Sequence, residues 1–227
     1  MRRIVFAAAM LLAPVALHAG VFEASLTLPV RPRLALTEGT HVAIAPFVIV
    51  VAAEDKADRA SKVDVQAEFS RYLKKKLEKE TPLVIIDAST SPLPTSDAKE
   101  LAANKDFWKG IAAKTAADYV LSGSIDFDIE DKSGYKTEEY TSPVDGRTYY
   151  RQVLVENTGF VFDIVLAVFD GDTGEKVAEE NFRDFKQFDG RNYDELMGLF
   201  ENLRSMEKQI LSIFVSQETT STRYLFE

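Results

Sequence analysis

Cysteine is absent from the 227 residues, histidine occurs twice and tryptophan once. Without Cys there can be no disulfide, no thiolate nucleophile and no thiolate-bound metal. Histidine chemistry is almost as restricted. His18 falls in an amino-terminal apolar segment, and His41 stands alone at the start of an apolar run. A His-based metal site or a Ser-His-Asp triad therefore lacks its partners. Positive charge is also in deficit, with 27 Lys and Arg against 36 Asp and Glu. That balance opposes unspecific binding to nucleic acid or anionic lipid, since phosphate contacts need clustered cations. The longest apolar run, residues 4–17, stops at 14 residues and contains Pro14, short of the roughly 20 that a membrane helix needs.

What is present begins with an export signal. Arg2-Arg3 is a basic n-region, Ile4 to Leu17 an apolar h-region, and Leu17-His18-Ala19 resembles a cleavage site. Residues 1–19 are thus read as a signal peptide. Its removal leaves 208 residues with 25 basic and 36 acidic side chains, a formal charge of −11. No Cys follows the h-region, so lipidation of the bacterial lipoprotein kind is not expected. The predicted product is periplasmic or secreted, without an integral membrane span once the signal is cleaved. Its 46% hydrophobic content suffices for one large core.

Residues 20–40, with Pro29 and Pro32, read as an extended lead-in without an element of its own. His41 to Val51 is nearly all apolar and β-branched, a buried strand in which Pro46 marks a bend or an edge position. Residues 54–62 read as a charged loop. Ser61 to Asp64 form a capping box before a helix with Val65, Phe69, Tyr72, Leu73 and Leu77 on one stripe. Lys74-Lys75-Lys76 on that helix read as a solvated face. Leu83 to Asp87 form a second short buried strand. Asp97 to Glu100 cap a short helix, and Phe107, Trp108, Ile111 and Thr115 continue a helical face.

Tyr119-Val120-Leu121 then open a third strand. Beyond Ser122-Gly123-Ser124 it alternates Ile125, Phe127 and Ile129 with Asp126, Asp128 and Glu130, the pattern of one wet face. Each crossover so far is long enough for a helix, which predicts parallel neighbours. Residues 135–155, with a turn at Ser142 to Arg147, read as a projecting Tyr-rich hairpin. Phe160 to Asp170 is a long strand, turned back by Gly171 to Gly174 into an antiparallel partner, Lys176 to Phe188. Asn192 to Glu195 cap the longest helix, striped by Leu196, Leu199, Phe200, Leu203, Met206, Ile210 and Ile213. Gly198 within it either permits close packing or is merely tolerated. Residues 216–227 read as a polar tail ending in Tyr224-Leu225-Phe226. The fold class is therefore α/β (α+β): a mixed β-sheet in the order β-α-β-α-β-β-β-α, with helices packed on the sheet and a hairpin insertion, all within one domain spanning 41–215.

Three phrases, V-A-I-A-P-F, L-V-I-I-D and A-A-D-Y-V-L-S-G-S-I, together with D-G-D-T-G-E at residues 170–175, carry a resemblance. The chain resembles the domain shared by the curli secretion channel family, the amino-terminal domain of the TolB translocation protein and penicillin-binding-protein activator lipoproteins. The likeness covers roughly residues 41–215. It implies a non-enzymatic envelope protein that assembles, scaffolds or activates partners, with no cofactor and no catalytic residues to carry over. Two departures stand out: the lipidated Cys is missing, and the hairpin lacks the alternating apolar pattern of a membrane-inserting one.

Two other chemistries can be drawn from the residues alone. Asp126, Asp128 and Glu130, about 7 Å apart along one strand face, could place an acid and a base for cleavage of envelope glycans, or could hold Ca²⁺. A solvated strand edge that blocks aggregation is the favoured explanation, since neither site can be completed from the sequence. Asp170 to Gly174 begins like a calcium loop, but its twelfth position is Asn181 rather than Glu, so a hairpin turn is the better reading. The favoured candidates for contact with protein partners, further copies of the chain included, are Tyr135, Tyr140, Tyr149 and Tyr150, half of the eight tyrosines within 16 residues. Cross-strand packing of these rings is the competing explanation. Tyr224 and Phe226 pose the same alternative in the tail.

Overall fold

A computed structural model describes residues 21–50, 63–190 and 193–226. The signal peptide and the whole of the charged loop at 54–62 lie outside the described residues. Two compact units are present, Arg31–Gln217 and a smaller one built from the two ends of the chain.

The larger unit holds a five-stranded mixed sheet. Its strands are β2 (His41–Ile49), β3 (Val84–Asp87), β4 (Tyr119–Asp131), β7 (Asn157–Asp170) and β8 (Lys176–Asp189), in the spatial order β3-β2-β4-β7-β8. β2 runs parallel to both β3 and β4, while β4–β7 and β7–β8 are antiparallel. The crossovers carry α1 (Val65–Glu80), then α2 (Ala98–Ala103) and α3 (Lys105–Thr115), and α4 (Glu195–Leu211) follows β8. β5 (Gly134–Thr141) and β6 (Thr148–Val155) form the hairpin inserted between β4 and β7. The predicted order and strand directions hold.

The two sheet faces are covered unequally. One buries Val42, Ile44, Leu121, Ile125, Phe162 and Ile164 under α1 and α4. The other buries Ala43, Ala45, Val120, Ala167 and Phe169 under Trp108, Ile111 and Leu101 of α3 and α2. α1 and α4 have 16 and 17 residues, α2 and α3 only 6 and 11. At 1.5 Å per residue α3 spans about 16 Å, against roughly 46 Å for the 14 residues of β7. The second face therefore stays open over much of its length.

Pro46 sits inside a central strand, a position that proline tolerates only at an edge or a bulge. Both conditions are met locally. β3 pairs only up to Ile44, and the β2–β4 register shifts between Ile44 and Phe47. The extra residue also changes the parity: Val42 and Ile44 share their face with Phe47, not with Pro46. The carbonyl of Pro46 accepts a 2.6 Å bond from the buried Ser122 hydroxyl. Gly123 follows with φ +151°, and a Cβ there would lie 1.7 Å from the carbonyl oxygen of Val165, so only glycine fits.

Several expectations need correction. The lead-in contains a strand, β1 (Val21–Val30), and the tail forms β9 (Gln217–Phe226); the two pair as a separate ribbon in the smaller unit. Leu26, Leu28 and Val30 alternate with polar or proline positions, a period-two signal that Pro29 and Pro32 obscure. β3 is an edge strand with Val84 exposed, and among the described residues no strand pairs beyond it. α1 is capped by Asp64, whose carboxylate accepts from the Ala67 amide at 3.0 Å; Ser61 is outside the described residues. α4 is capped by Asp194, which accepts from the Met197 amide at 2.9 Å; Asn192 is likewise outside. Leu196 is exposed rather than on the buried stripe. Gly198 is a close-packing glycine, since a Cβ would stand 2.7 Å from the Phe160 ring.

Candidate binding surface

The hairpin register sorts the four tyrosines onto two faces. Opposed residues of an antiparallel pair share a face. One face carries Lys136/Val153, Glu138/Arg151 and Tyr140/Tyr149. It satisfies itself: the Tyr140 and Tyr149 rings lie 5.9 Å apart, Arg151 sits 5.3 Å over Tyr140, and the Arg151 guanidinium is 3.5 Å from Glu138. Tyr149 also donates to Asp145 in the turn at 2.6 Å. That bond, with the amide of Arg147, holds the Asp145 carboxyl below its ordinary range and pushes the Tyr149 phenol up.

The opposite face carries Tyr135/Leu154, Thr137/Gln152 and Glu139/Tyr150. Here Tyr135 is 76% exposed, Tyr150 72% and Leu154 46%. The structure thus separates one cross-strand pair from two rings without aromatic neighbours among the described residues. In the smaller unit Tyr224 is also exposed, on β9; the side chain of Phe226 lies outside the description.

The carboxylates of β4 stand on the open sheet face. Asp126 is directly opposite Asp163, which pairs across to Arg183 with a 3.4 Å ion pair, and Glu130 pairs with Lys132. Asp126 remains solvent-accessible, yet desolvation by its surroundings and the carboxylates of Asp128 and Asp163 push its carboxyl up, with Arg183 pulling the other way. Among the described residues no three His, Asp or Glu side chains come close enough to hold a metal ion. In the 170–175 turn, the Asp170 carboxylate accepts from the Asp172 amide and from the amide and hydroxyl of Thr173, at 3.1, 2.8 and 2.9 Å. Those bonds lock a turn, and Gly174 completes it at φ +69°.

His41 is tied into the same scaffold. Its amide donates to Asp118 at 2.8 Å, and its Nδ1 lies 3.7 Å from the same oxygen. Asp118 belongs to the A-A-D-Y phrase, whose backbone also receives the Gly171 amide at 2.7 Å. The phrase joins the starts of β2 and β4 to the β7–β8 turn, a structural task. The lysines of α1 are mostly engaged: Lys74 with Asp87 at 3.5 Å and Lys76 with Glu207 at 2.8 Å. Tyr72 donates to Glu207 as well, and burial together with that bond pushes its phenol far up.

The sequence reading missed a groove of about 640 Å³ between α2 and the open sheet face, lined by Leu101, Ala102, Trp108, Val165, Ala167 and Phe169 among others. Its only forewarning was the small side chains of A-K-E-L-A-A, which lift a helix from its sheet less than bulky ones would but fill the space beneath it poorly.

No family model and no curated protein matches the chain. Solved structures do. They include the PelC dodecamer from Paraburkholderia phytofirmans, at 16% identity over 84% of this chain and 98% of that one, TM-score 0.40. A lipoprotein from Neisseria meningitidis matches at 12% identity over 75% and 97%, TM-score 0.39. A protein from Chlamydia trachomatis matches at 16% over 76% and 95%, TM-score 0.38. Likenesses this slight carry no function to the chain. No helix of the described residues is long and apolar enough to cross a membrane.

Proposed function

We propose that the chain is an exported bacterial envelope protein that works without catalysis, by binding other proteins, further copies of itself included. Its contact surface is the Tyr135/Tyr150/Leu154 face of the β5–β6 hairpin, with Tyr224 as a second contact in the smaller unit. The observation that carries this reading is the exposure of Tyr135 and Tyr150 at 76% and 72% on a ribbon whose other face has paired its own rings. Tyr gives large contact area at low entropic cost, and a two-stranded ribbon is marginal by itself, so a partner would stabilise both. The resemblance of residues 41–215 to envelope assembly domains supports the same conclusion.

The test is light scattering over a concentration series, with capture from the native envelope by crosslinking, on the wild type and on Tyr135→Ser/Tyr150→Ser. The double variant should weaken assembly or capture at least ~10-fold, as two buried aromatic contacts would. Val144→Ser, at a turn position 94% exposed, should change nothing. A wild type that is monomeric throughout and loses no envelope partner in the double variant would end this reading.

A further inference from the structure

The groove beneath α2 is not used by the hairpin reading and stands on a different surface. We propose that it binds a single linear apolar chain ending in an anionic head, of the fatty-acid carboxylate type. Its volume of about 640 Å³ falls within the range of small-molecule sites. Its walls are mostly aliphatic and aromatic, and few hydrogen bonds are on offer. The Trp108 indole N–H already donates to the Leu101 carbonyl at 3.1 Å, and Ser124 supplies the only side-chain hydroxyl of the lining. The body of the ligand must therefore be apolar.

Charge decides the head. Two cations line the groove, Lys99 and Lys176. Lys176 is paired with Glu179, the one acid of the lining, whereas Lys99, exposed on the first turn of α2, makes no ion pair among the described residues, though its charge acts on the neighbouring Asp97. Further along the same sheet face, Asp126 lies two residues beyond Ser124, about 7 Å on, and faces Asp163. An anionic head is thus attracted to Lys99 and repelled by the Asp126/Asp163 pair. A cationic head would be drawn out of the groove, towards the acids.

Trp108 is the sole tryptophan and is fully buried in the lining, so its fluorescence reports on this groove alone. The purified protein would be titrated with dodecanoate below its micelle concentration, with dodecanol, and with dodecyltrimethylammonium. Dodecanoate should give a saturable shift, the alcohol ~10-fold weaker binding and the ammonium weaker still, the expected loss of one charge-assisted contact. Lys99→Glu should weaken dodecanoate ~10-fold and leave the alcohol unchanged. Ala102→Phe, which fills the groove, should abolish the response to all three. Ala98→Leu at the end of α2 is the milder alternative should Ala102→Phe fail to melt cooperatively. The proposal is overturned if no ligand saturates, if the three heads bind equally, or if the filling variants leave the titration unchanged.

Discussion

Two glycines on helices of the larger unit should answer the same substitution with opposite signs. Gly110 lies inside α3, and a Cβ built there meets nothing within 4 Å. Gly110→Ala should therefore collect the helix-propensity gain of about 1 kcal/mol. Gly198 lies inside α4, where the same methyl would stand 2.7 Å from Cδ1 and Cε1 of Phe160. The ring cannot yield. Phe160 is fully buried, stacked on Phe127 at 6.0 Å, with Phe188 and Tyr193 edge-on at 5.8 and 5.9 Å. The helix must then lift away from the ring, out of its packed position on the sheet. Overpacking of this kind costs about 1–3 kcal/mol, against a propensity gain of about 1, so Gly198→Ala should be destabilised by up to about 2 kcal/mol. The two variants then differ by about 1–3 kcal/mol, and thermal melts would separate them by about 2–12 °C, at roughly 2–4 °C per kcal/mol for a chain of this size. In a double-mutant cycle, Phe160→Leu should cost less beside Ala than beside Gly at position 198. Equal stability of the two alanine variants would refute the claim that Gly198 is there for packing.

Three further outcomes are expected. Ser122→Ala leaves the Pro46 carbonyl buried without its 2.6 Å donor and should cost about 1–3 kcal/mol in urea melts. Ala116, the C-cap of α3, adopts φ 53° and ψ 39°, so Ala116→Gly should stabilise by about 1 kcal/mol in the same assay. Asp126 has its folded pKa raised above the ordinary 3.8, which means its ionised form is disfavoured on folding. Asp126→Asn should therefore raise the melting temperature at neutral pH. The gain should shrink as pH falls through the raised folded value and vanish below 3.8; a gain that instead grew on acidification would contradict the assigned direction.

The order of the sheet was legible because each core element carries its own period: the apolar run of β2, the stripe of α1, the alternation of β4. Local turn chemistry was legible too, as Asp97 and the Asp170 turn show. What escaped were properties that depend on who lies alongside. β3 reads as apolar and buried, yet among the described residues no strand pairs beyond it, and Val84 is exposed. Ser61 and Asn192 each precede a second candidate cap three or two residues on, and the carboxylates of Asp64 and Asp194 hold the first amides instead. β1 and β9 are nearly two hundred residues apart in sequence, so neither predicts the other. For the tyrosines, sequence supplies their concentration but not their faces. The register, with Tyr140 opposite Tyr149, decides which two rings are spent internally and which two are presented outward.

The unequal helical cover explains where recognition can reside. A sheet face left open by a short α3 must avoid stacking on other sheets, and charged residues on it serve that end. Asp126, Asp163 and Arg183 stand opposite one another across three neighbouring strands in that stretch, with Asp128 next along the same face of β4. Charge placed there for solubility breaks up the apolar surface, of which Phe185 opposite Val161 remains exposed. Apolar surface is larger on either side of the charges: at one end under α2, where small side chains leave a groove, and at the other in the hairpin that β4 leads into. The acidic row lies between the two, so a ligand in the groove and a protein on the hairpin should bind without competing. A Tyr135→Ser/Tyr150→Ser variant should accordingly keep the Trp108 response to dodecanoate unchanged, and Lys99→Glu should leave assembly intact. Loss of both properties in either variant would mean that the two surfaces form one site.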